Sequence, residues 1–163
     1  MKKLTLTICL TLAVLLGSTG TSWGADFDKG MAAYKSGDFA TALREFRPLA
    51  EQGDAVAQSN LGWMYDKGHG VPQDYKTAMK WYTLAAEQGD AGAQFNLGVM
   101  YYYGQGVPKD FIYAHMWGSI VASSGNEIGG ELRDFAAKGM TATQIEEAQD
   151  LARECVRKKY KGC

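Results

Sequence analysis

The sequence is poor in the side chains from which catalytic and metal sites are usually built. Its 163 residues include two histidines, His69 and His115, and three cysteines. After residue 24 it has no His-Glu-x-x-His, Gly-x-Ser-x-Gly or Cys-x-x-Cys motif, and a closed zinc site needs several converging ligands. We therefore expect no metal, no cofactor and no catalytic residue, and we predict that the protein is not an enzyme.

The sequence also lacks a strong excess of charge of either sign. Lysine and arginine together number 17, and aspartate and glutamate 18, for a formal net charge of −1. Lys2 and Lys3 belong to an N-terminal segment described below, so the rest of the chain is slightly more acidic. Such a balance gives no overall attraction for nucleic acid or for an anionic membrane, and we expect neither as a partner.

The N-terminus has the pattern of a cleavable export signal. Lys2 and Lys3 precede an uncharged and mostly apolar stretch, residues 4–16, which is followed by small and polar residues up to Gly24. This stretch is too short to span a hydrocarbon core of about 30 Å as a helix. We predict a signal peptide over residues 1–24, a periplasmic or secreted protein, and no membrane span after cleavage.

An internal repeat is the clearest feature of the remaining sequence. Residues 55–90 align without a gap on residues 91–126, and nearly half of the aligned positions are identical. Apolar residues recur at helical spacing in each copy, as at Ala57, Leu61 and Tyr65. Each copy therefore predicts two helices joined by a loop, and neither copy alternates with the period of a strand.

Each copy also carries a Gly-x-Gly loop, KGHGVPQDY at 67–75 and YGQGVPKDF at 103–111. A dinucleotide-binding loop requires Gly-x-Gly-x-x-Gly between a strand and a helix. Here the sixth position is Gln73 or Lys109, and the preceding segment is predicted to be a helix. Glycines that supply positive φ angles where a helix ends explain the pattern better, so we predict a structural turn.

These motifs resemble the Sel1-like repeat, a longer-looped relative of the tetratricopeptide repeat, in its exported bacterial form. The matching pattern is Ala-x-Ala-Gln-x-x-Leu-Gly-x-x-Tyr, then Gly-x-Gly-Val-x-x-Asp, Ala-x-x-Trp and Ala-x-x-Gly. The resemblance implies an all-α fold, a right-handed α-solenoid of stacked helical hairpins with about seven helices. It makes residues 25–54 a tetratricopeptide-like first hairpin and residues 127–163 C-terminal capping helices, the first of which could begin a degenerate fourth unit.

Two cysteines, Cys155 and Cys163, remain after the predicted signal peptide. Export to an oxidising compartment favours a bond between them, while a redox pair and an exposed free thiol are the alternatives. Exported relatives of the resembled family contain disulfides with this spacing near a helix end. The resemblance therefore favours a structural disulfide.

In a solenoid of this kind, the first helix of each pair lines the inner wall of a groove. We predict that the side of these helices opposite the buried stripe binds a partner, with amides that grip a peptide backbone and apolar anchors beside them. The alternative is that these side chains contact the neighbouring repeat. The predicted partner-binding residues are Asn60, Trp63, Lys67, Asn96, Val99, Tyr102 and Tyr103.

The predicted function is that of an exported scaffold or adaptor that binds a protein or peptide in this groove. An alternative, implied by the resemblance alone, is binding of a peptidoglycan-like or β-lactam ligand with at most weak hydrolysis. Against a serine mechanism, no serine of the chain stands in a Ser-x-x-Lys motif. A third alternative is an oligomer formed by stacking of the solenoid ends.

Overall fold

The computed structural model describes residues 24–163, and this part of the chain is helical without any strand. The predicted all-α fold of stacked hairpins is confirmed, with eight helices where about seven were expected. None of these helices is long and apolar enough to cross a membrane. The predicted signal peptide, residues 1–24, lies outside the described residues except for Gly24. The helices are α1 (Phe27–Ser36), α2 (Phe39–Glu51), α3 (Ala55–Lys67), α4 (Tyr75–Ala86), α5 (Ala91–Tyr103), α6 (Phe111–Ser123), α7 (Glu127–Ala137) and α8 (Ala142–Arg157).

Every helix begins at a side chain that accepts a hydrogen bond from a backbone N–H of its first turn. In the two repeats, Asp54 Oδ1 accepts from Ala57 N and Asp90 Oδ1 accepts from Ala93 N, both at 2.7 Å. Such a cap stabilises a helix by about 1 kcal/mol, so the repeated aspartates fix where the helices begin. The capping residues are Asp26, Asp38, Asp54, Asp74, Asp90, Asp110, Asn126 and Thr141.

A buried glutamine in the first helix of each repeat holds that helix to the preceding unit. Gln58 Nε2 donates to the carbonyl oxygen of Ala50 at 3.0 Å, and Gln94 Nε2 donates to that of Ala86 at 3.2 Å. Both carbonyl groups lie in the last turn of a helix, where no partner is available within the helix itself. The Ala-Gln pair of the repeat motif therefore sets the same spacing between successive units.

The loops of the repeats also lie against the preceding unit. The second glycine of each loop, Gly70 or Gly106, has a φ of 73° or 75°, as the predicted structural turn requires. A Cβ atom on Gly70 would lie 2.9 Å from Cβ of Phe39, and one on Gly106 would lie 2.8 Å from the carbonyl carbon of Tyr75. Each loop thus packs onto the start of the second helix of the unit before it.

The first helix of the C-terminal region, α7, packs closely on α6 through glycines. A Cβ atom on Gly118 would lie 2.7 Å from the backbone nitrogen of Arg133, and one on Gly129 would lie 2.6 Å from that of Ala122. The first repeat has Tyr82, a large side chain, at the position of Gly118. The loss of that side chain allows α7 to approach α6 and to lie beside α5.

The last helix does not complete a fourth hairpin. Although α8 follows α7 in the chain, it packs on α6 and makes little contact with α7. Its small buried residues, Ala152 and Cys155, join the core formed by α4, α5 and α6. In a fourth hairpin, α8 would pack on α7. Here the apolar stripe of α8 packs on α6, which belongs to the second repeat.

The C-terminal loop after α8 is closed by the predicted disulfide between Cys155 and Cys163, whose Cα atoms are 5.6 Å apart. The loop reaches the turn between α4 and α5. There the backbone N–H of Gly162 donates to Glu87 Oε1 at 3.1 Å, and the ring of Tyr160 lies 3.5 Å from the position of a Cβ atom on Gly89. The disulfide loop thus ties the end of the chain to the first repeat.

Candidate partner-binding groove

Two neighbouring first helices, α5 and α7, form the walls of a mainly apolar depression with a volume of about 290 Å³. We call it the α5–α7 groove. Helix α7 follows the second repeat and lies beside α5, as the first helix of a fourth unit would. The groove therefore lies on the side of the solenoid that is formed by the first helices. The lining residues are Phe95, Val99, Tyr102 and Tyr103 of α5, and Ile128, Glu131, Leu132 and Phe135 of α7.

Three large apolar side chains of this groove are exposed to solvent. The exposed fraction is 66% for Tyr103, 53% for Ile128 and 51% for Phe135. Single exposed apolar residues are common on protein surfaces, whereas a cluster of them is typical of an interaction site. These three residues come from two adjoining helices and line one depression.

The aromatic residues at the end of α5 support one another. The ring centre of Tyr102 lies 5.0 Å from that of Tyr103 and 5.3 Å from that of Phe111, which begins α6. Rings in such tilted contacts hold each other's orientation. The wall formed by α5 therefore ends in two contacting rings, Tyr102 and Tyr103, and Tyr102 also contacts Phe111.

Of the predicted partner-binding residues, Val99, Tyr102 and Tyr103 come together in the α5–α7 groove. Asn96 lies on the same helix but not in the lining of the groove. The amide of Asn60 donates to the carbonyl oxygen of Val56 in its own helix at 2.8 Å.

Lys67 likewise pairs within its own helix, where its Nζ lies 2.8 Å from Asp66 Oδ2. The side chains of Asn60 and Lys67, both on α3, therefore have partners within their own helix.

Trp63 packs on the first hairpin, which was the alternative left open by the sequence. Its ring centre lies 5.3 Å from that of Tyr34 and 4.7 Å from that of His69, both in edge contacts. His69 in turn stacks on Phe39 at 4.2 Å. This aromatic cluster joins α1, α2 and the loop after α3, so Trp63 contributes to the stacking of units.

Two exposed residues of the groove, Ile128 and Phe135, were not predicted from the sequence. The helix that carries them begins at Glu127, at the start of the segment predicted to form the capping helices. The missed signal is the spacing of Ile128, Leu132 and Phe135 at i, i+4 and i+7, which places them on one face of a helix.

One histidine and one serine lie close enough to interact, His115 Nδ1 and Ser119 Oγ at 3.4 Å on α6. Burial, followed by the charge of Arg133, lowers the pKa of His115 below its ordinary value. An acyl-transfer site would also need hydrogen-bond donors for an oxyanion, and backbone N–H groups in the middle of a helix already donate to carbonyl groups of that helix. We therefore assign this pair to helix packing. Within residues 24–163, no group of three or more histidine, cysteine, aspartate or glutamate side chains could hold a metal ion.

Comparison with known proteins identifies the repeated units. A family model described as the Sel1 repeat matches residues 55–90 and 91–126. Among curated proteins no match is found.

Two solved structures share the fold. One is a protective antigen present in uropathogenic Escherichia coli strains, which displays an SLR fold; it is 34% identical with a TM-score of 0.77 over 80% of this chain. The other is a Sel1 repeat protein from Oxalobacter formigenes, 29% identical with a TM-score of 0.66 over 79% of this chain. The chain spans 29% of the length of the first protein and 55% of the second.

Proposed function

This chain is a protein with two tandem Sel1 repeats, and from that premise we propose that it is an exported scaffold that binds a protein or peptide partner in the α5–α7 groove. Sel1-repeat proteins are generally protein–protein interaction scaffolds. The partner would occupy the side formed by the first helices, where Val99, Tyr102 and Tyr103 were already predicted to bind it.

The observation that carries this proposal is the exposure of Tyr103, Ile128 and Phe135 around one depression. Aromatic and aliphatic side chains of this kind form the centres of protein interfaces, where they contribute most of the binding free energy. Leu132 forms the floor between them and is 7% exposed. A bound segment would cover the three exposed side chains without moving the buried one.

The test is capture of partners from an envelope extract by the immobilised protein. We compare the wild type with the double variant Ile128→Ser/Phe135→Ser, which changes exposed side chains and should leave the helical content unchanged by circular dichroism. Leu84→Ser serves as the control, because Leu84 is also exposed (37%) but lies on α4. A partner retained by wild type and control and lost by the double variant supports the proposal, and equal retention by all three overturns it.

Export is a second part of the proposal. It is supported by the basic and apolar pattern of residues 1–24 and by the disulfide, since disulfides persist in oxidising compartments. The test is expression of the whole chain in a bacterial host, followed by fractionation and mass measurement. We expect a periplasmic or secreted protein that begins at Ala25, and an uncleaved chain in the cytoplasm would contradict export.

A further inference from the structure

Two lysine side chains lie over aromatic rings at the α5–α7 groove. Lys109 Nζ is 5.7 Å from the ring centre of Tyr102 and 4.7 Å from that of Phe111. Lys138 Nζ is 4.4 Å from the ring centre of Phe135. Tyr102 and Phe135 line opposite walls of the groove, so each wall carries an ammonium group on one of its aromatic rings.

Both ammonium groups lie at the same end of the groove. A Cβ atom on Gly139, the residue after Lys138, would lie 2.6 Å from the ring of Phe111, two residues beyond Lys109. The end of α7 therefore meets the start of α6, and both lysines belong to this junction. We call it the basic end of the groove.

Neither lysine forms an ion pair in the part of the chain that the structure describes. In residues 24–163, Lys29, Lys67, Lys158 and Lys161 lie within 4.0 Å of a carboxylate oxygen, whereas Lys109 and Lys138 do not. An aromatic ring attracts a cation but leaves its outer side free to bind an anion. The basic end of the groove thus carries two ammonium groups that make no ion pair, and Asp134, one turn of α7 before Lys138, pairs with Arg133 instead.

The opposite end of the groove carries negative charge. Glu131 lines the groove about two turns of α7 before Lys138, and Glu127 precedes it by one further turn. The charge therefore changes sign along the groove, from the start of α7 to its end. A bound chain would be oriented by this difference as well as by its apolar contacts.

Building on the proposed function, we infer that the α5–α7 groove binds a protein segment in which apolar side chains are followed by carboxylates. The apolar side chains cover Tyr103, Ile128 and Phe135, and the carboxylates pair with Lys109 and Lys138. A nucleic acid fits less well, because Glu131 lies in the groove and the chain as a whole has a slight acidic excess.

The experiment is selection from a phage-displayed library of random dodecapeptides on the immobilised protein, at low and at high salt. We expect peptides that combine Phe, Leu or Trp with Asp or Glu. Their affinity, measured by fluorescence anisotropy, should fall about tenfold in Lys109→Glu/Lys138→Glu, as loss of two exposed ion pairs would give. Selection on that variant should enrich lysine and arginine in place of the acidic residues.

Lys35→Glu/Lys80→Glu is the matched control. It makes the same change of net charge, and Lys80 also lies over an aromatic ring, that of Trp81 at 6.0 Å, but neither lysine lies over an aromatic ring of the groove. The control should bind the selected acidic peptides as the wild type does. Equal loss of affinity in both double variants would overturn the inference, because it would reflect net charge alone.

The remaining outcomes separate the inference from the proposed function. Peptides without acidic preference that are lost in Ile128→Ser/Phe135→Ser overturn the charge specificity and leave the proposed function standing. If the selected peptides bind Lys109→Glu/Lys138→Glu and Ile128→Ser/Phe135→Ser as well as they bind the wild type, both the charge specificity and the proposed function are overturned. Concentration-dependent self-association that disappears in Ile128→Ser/Phe135→Ser, measured by light scattering, overturns the peptide occupant in favour of a second copy.

Discussion

Gly106 lies directly on the backbone of Tyr75, so that a Cβ atom at the glycine would be 2.8 Å from the carbonyl carbon of Tyr75. Gly70 has the same relation to Phe39, which lies 36 positions before Tyr75. The loop glycines therefore mark the places where one unit touches the next. Their repetition reflects the stacking of units and not the binding of a phosphate.

We expect Gly106→Ala to destabilise the fold more than Gly125→Ala. Both glycines have positive φ, 75° and 84°, which disfavours alanine by about 1–2 kcal/mol. At Gly125 nothing lies within 4 Å of the added methyl group, whereas at Gly106 it meets backbone, which adds about 1–3 kcal/mol. Urea denaturation measures both free energies of unfolding, and equal values would contradict the contact between the repeats.

Glu45 of α2 is expected to make stability depend on pH. Its carboxylate is buried and accepts from Lys29 Nζ at 3.0 Å and from the backbone N–H of Asp26 at 3.2 Å. The hydrogen bond from Lys29, and next that from Asp26, hold the pKa of Glu45 below its ordinary value. The ionised carboxylate therefore stabilises the fold above the ordinary pKa of glutamate, about 4.3, and this stabilisation is lost as the pH falls through the lower pKa of the folded state.

The corresponding measurement compares Glu45→Gln with the wild type by denaturation at pH 7 and at pH 3. We expect the variant to be less stable at pH 7 and the difference to shrink at pH 3. Glu51→Gln, which changes an exposed carboxylate at the end of the same helix, is the control and should change stability little. A difference for Glu45→Gln that is the same at both pH values would rule out the ionised carboxylate as its cause.

Removal of the disulfide should loosen a specific contact as well as lower stability. Cys163→Ala opens the loop that presents Gly162 to Glu87 and Tyr160 to Gly89. Closure of a loop of this length contributes about 2–3 kcal/mol in the chain-entropy model. We expect a lower melting temperature and faster amide exchange at residues 87–90.

Reductant provides the control for the disulfide. Added to the wild type, it should reproduce both effects of Cys163→Ala, while added to the variant it should change nothing. Mass measurement should show a difference of two hydrogens between the oxidised and reduced wild-type protein. Unchanged exchange at residues 87–90 after reduction would show that the loop keeps its place without the bond.

We expect no turnover of a chromogenic β-lactam at high protein concentration. Ser119 is the serine that a histidine approaches, but it lies within α6, where the surrounding N–H groups are engaged in helical hydrogen bonds. Ser119→Ala is the matched variant and should behave as the wild type does. Turnover that disappears in Ser119→Ala would contradict this assignment and favour the hydrolase alternative.

The helices and loops of the repeats were predictable because their causes are local. The apolar spacing at Ala57, Leu61 and Tyr65, and the glycines of the loops, determine secondary structure through residues close in sequence. The same locality allowed Val99 and Tyr103, with Tyr102 beside them, to be placed outside the buried stripe of α5, and none of the three is buried. These features needed no knowledge of which helix lies opposite.

Contacts between distant segments were not predictable from these patterns. The stripe of Ala148, Ala152 and Cys155 indicates which side of α8 is buried, but it does not indicate which helix covers it. Which helix covers this stripe depends on the shape of α6 and on contacts such as that of Gly162 with Glu87, 75 residues apart. Trp63 is a similar case, because its partner Tyr34 belongs to a hairpin outside the two matching repeats.

The positions of Glu87 and Gly89 would allow a repeat to be added to this protein without a change at its C-terminal end. Both residues belong to the segment 55–90, so a duplicate of that segment inserted after Asp90 would present the same carboxylate and the same glycine to the C-terminal loop. Residues 91–163 would then follow without any change of sequence. The number of units can thus vary while the closing structure at the end of the chain stays the same.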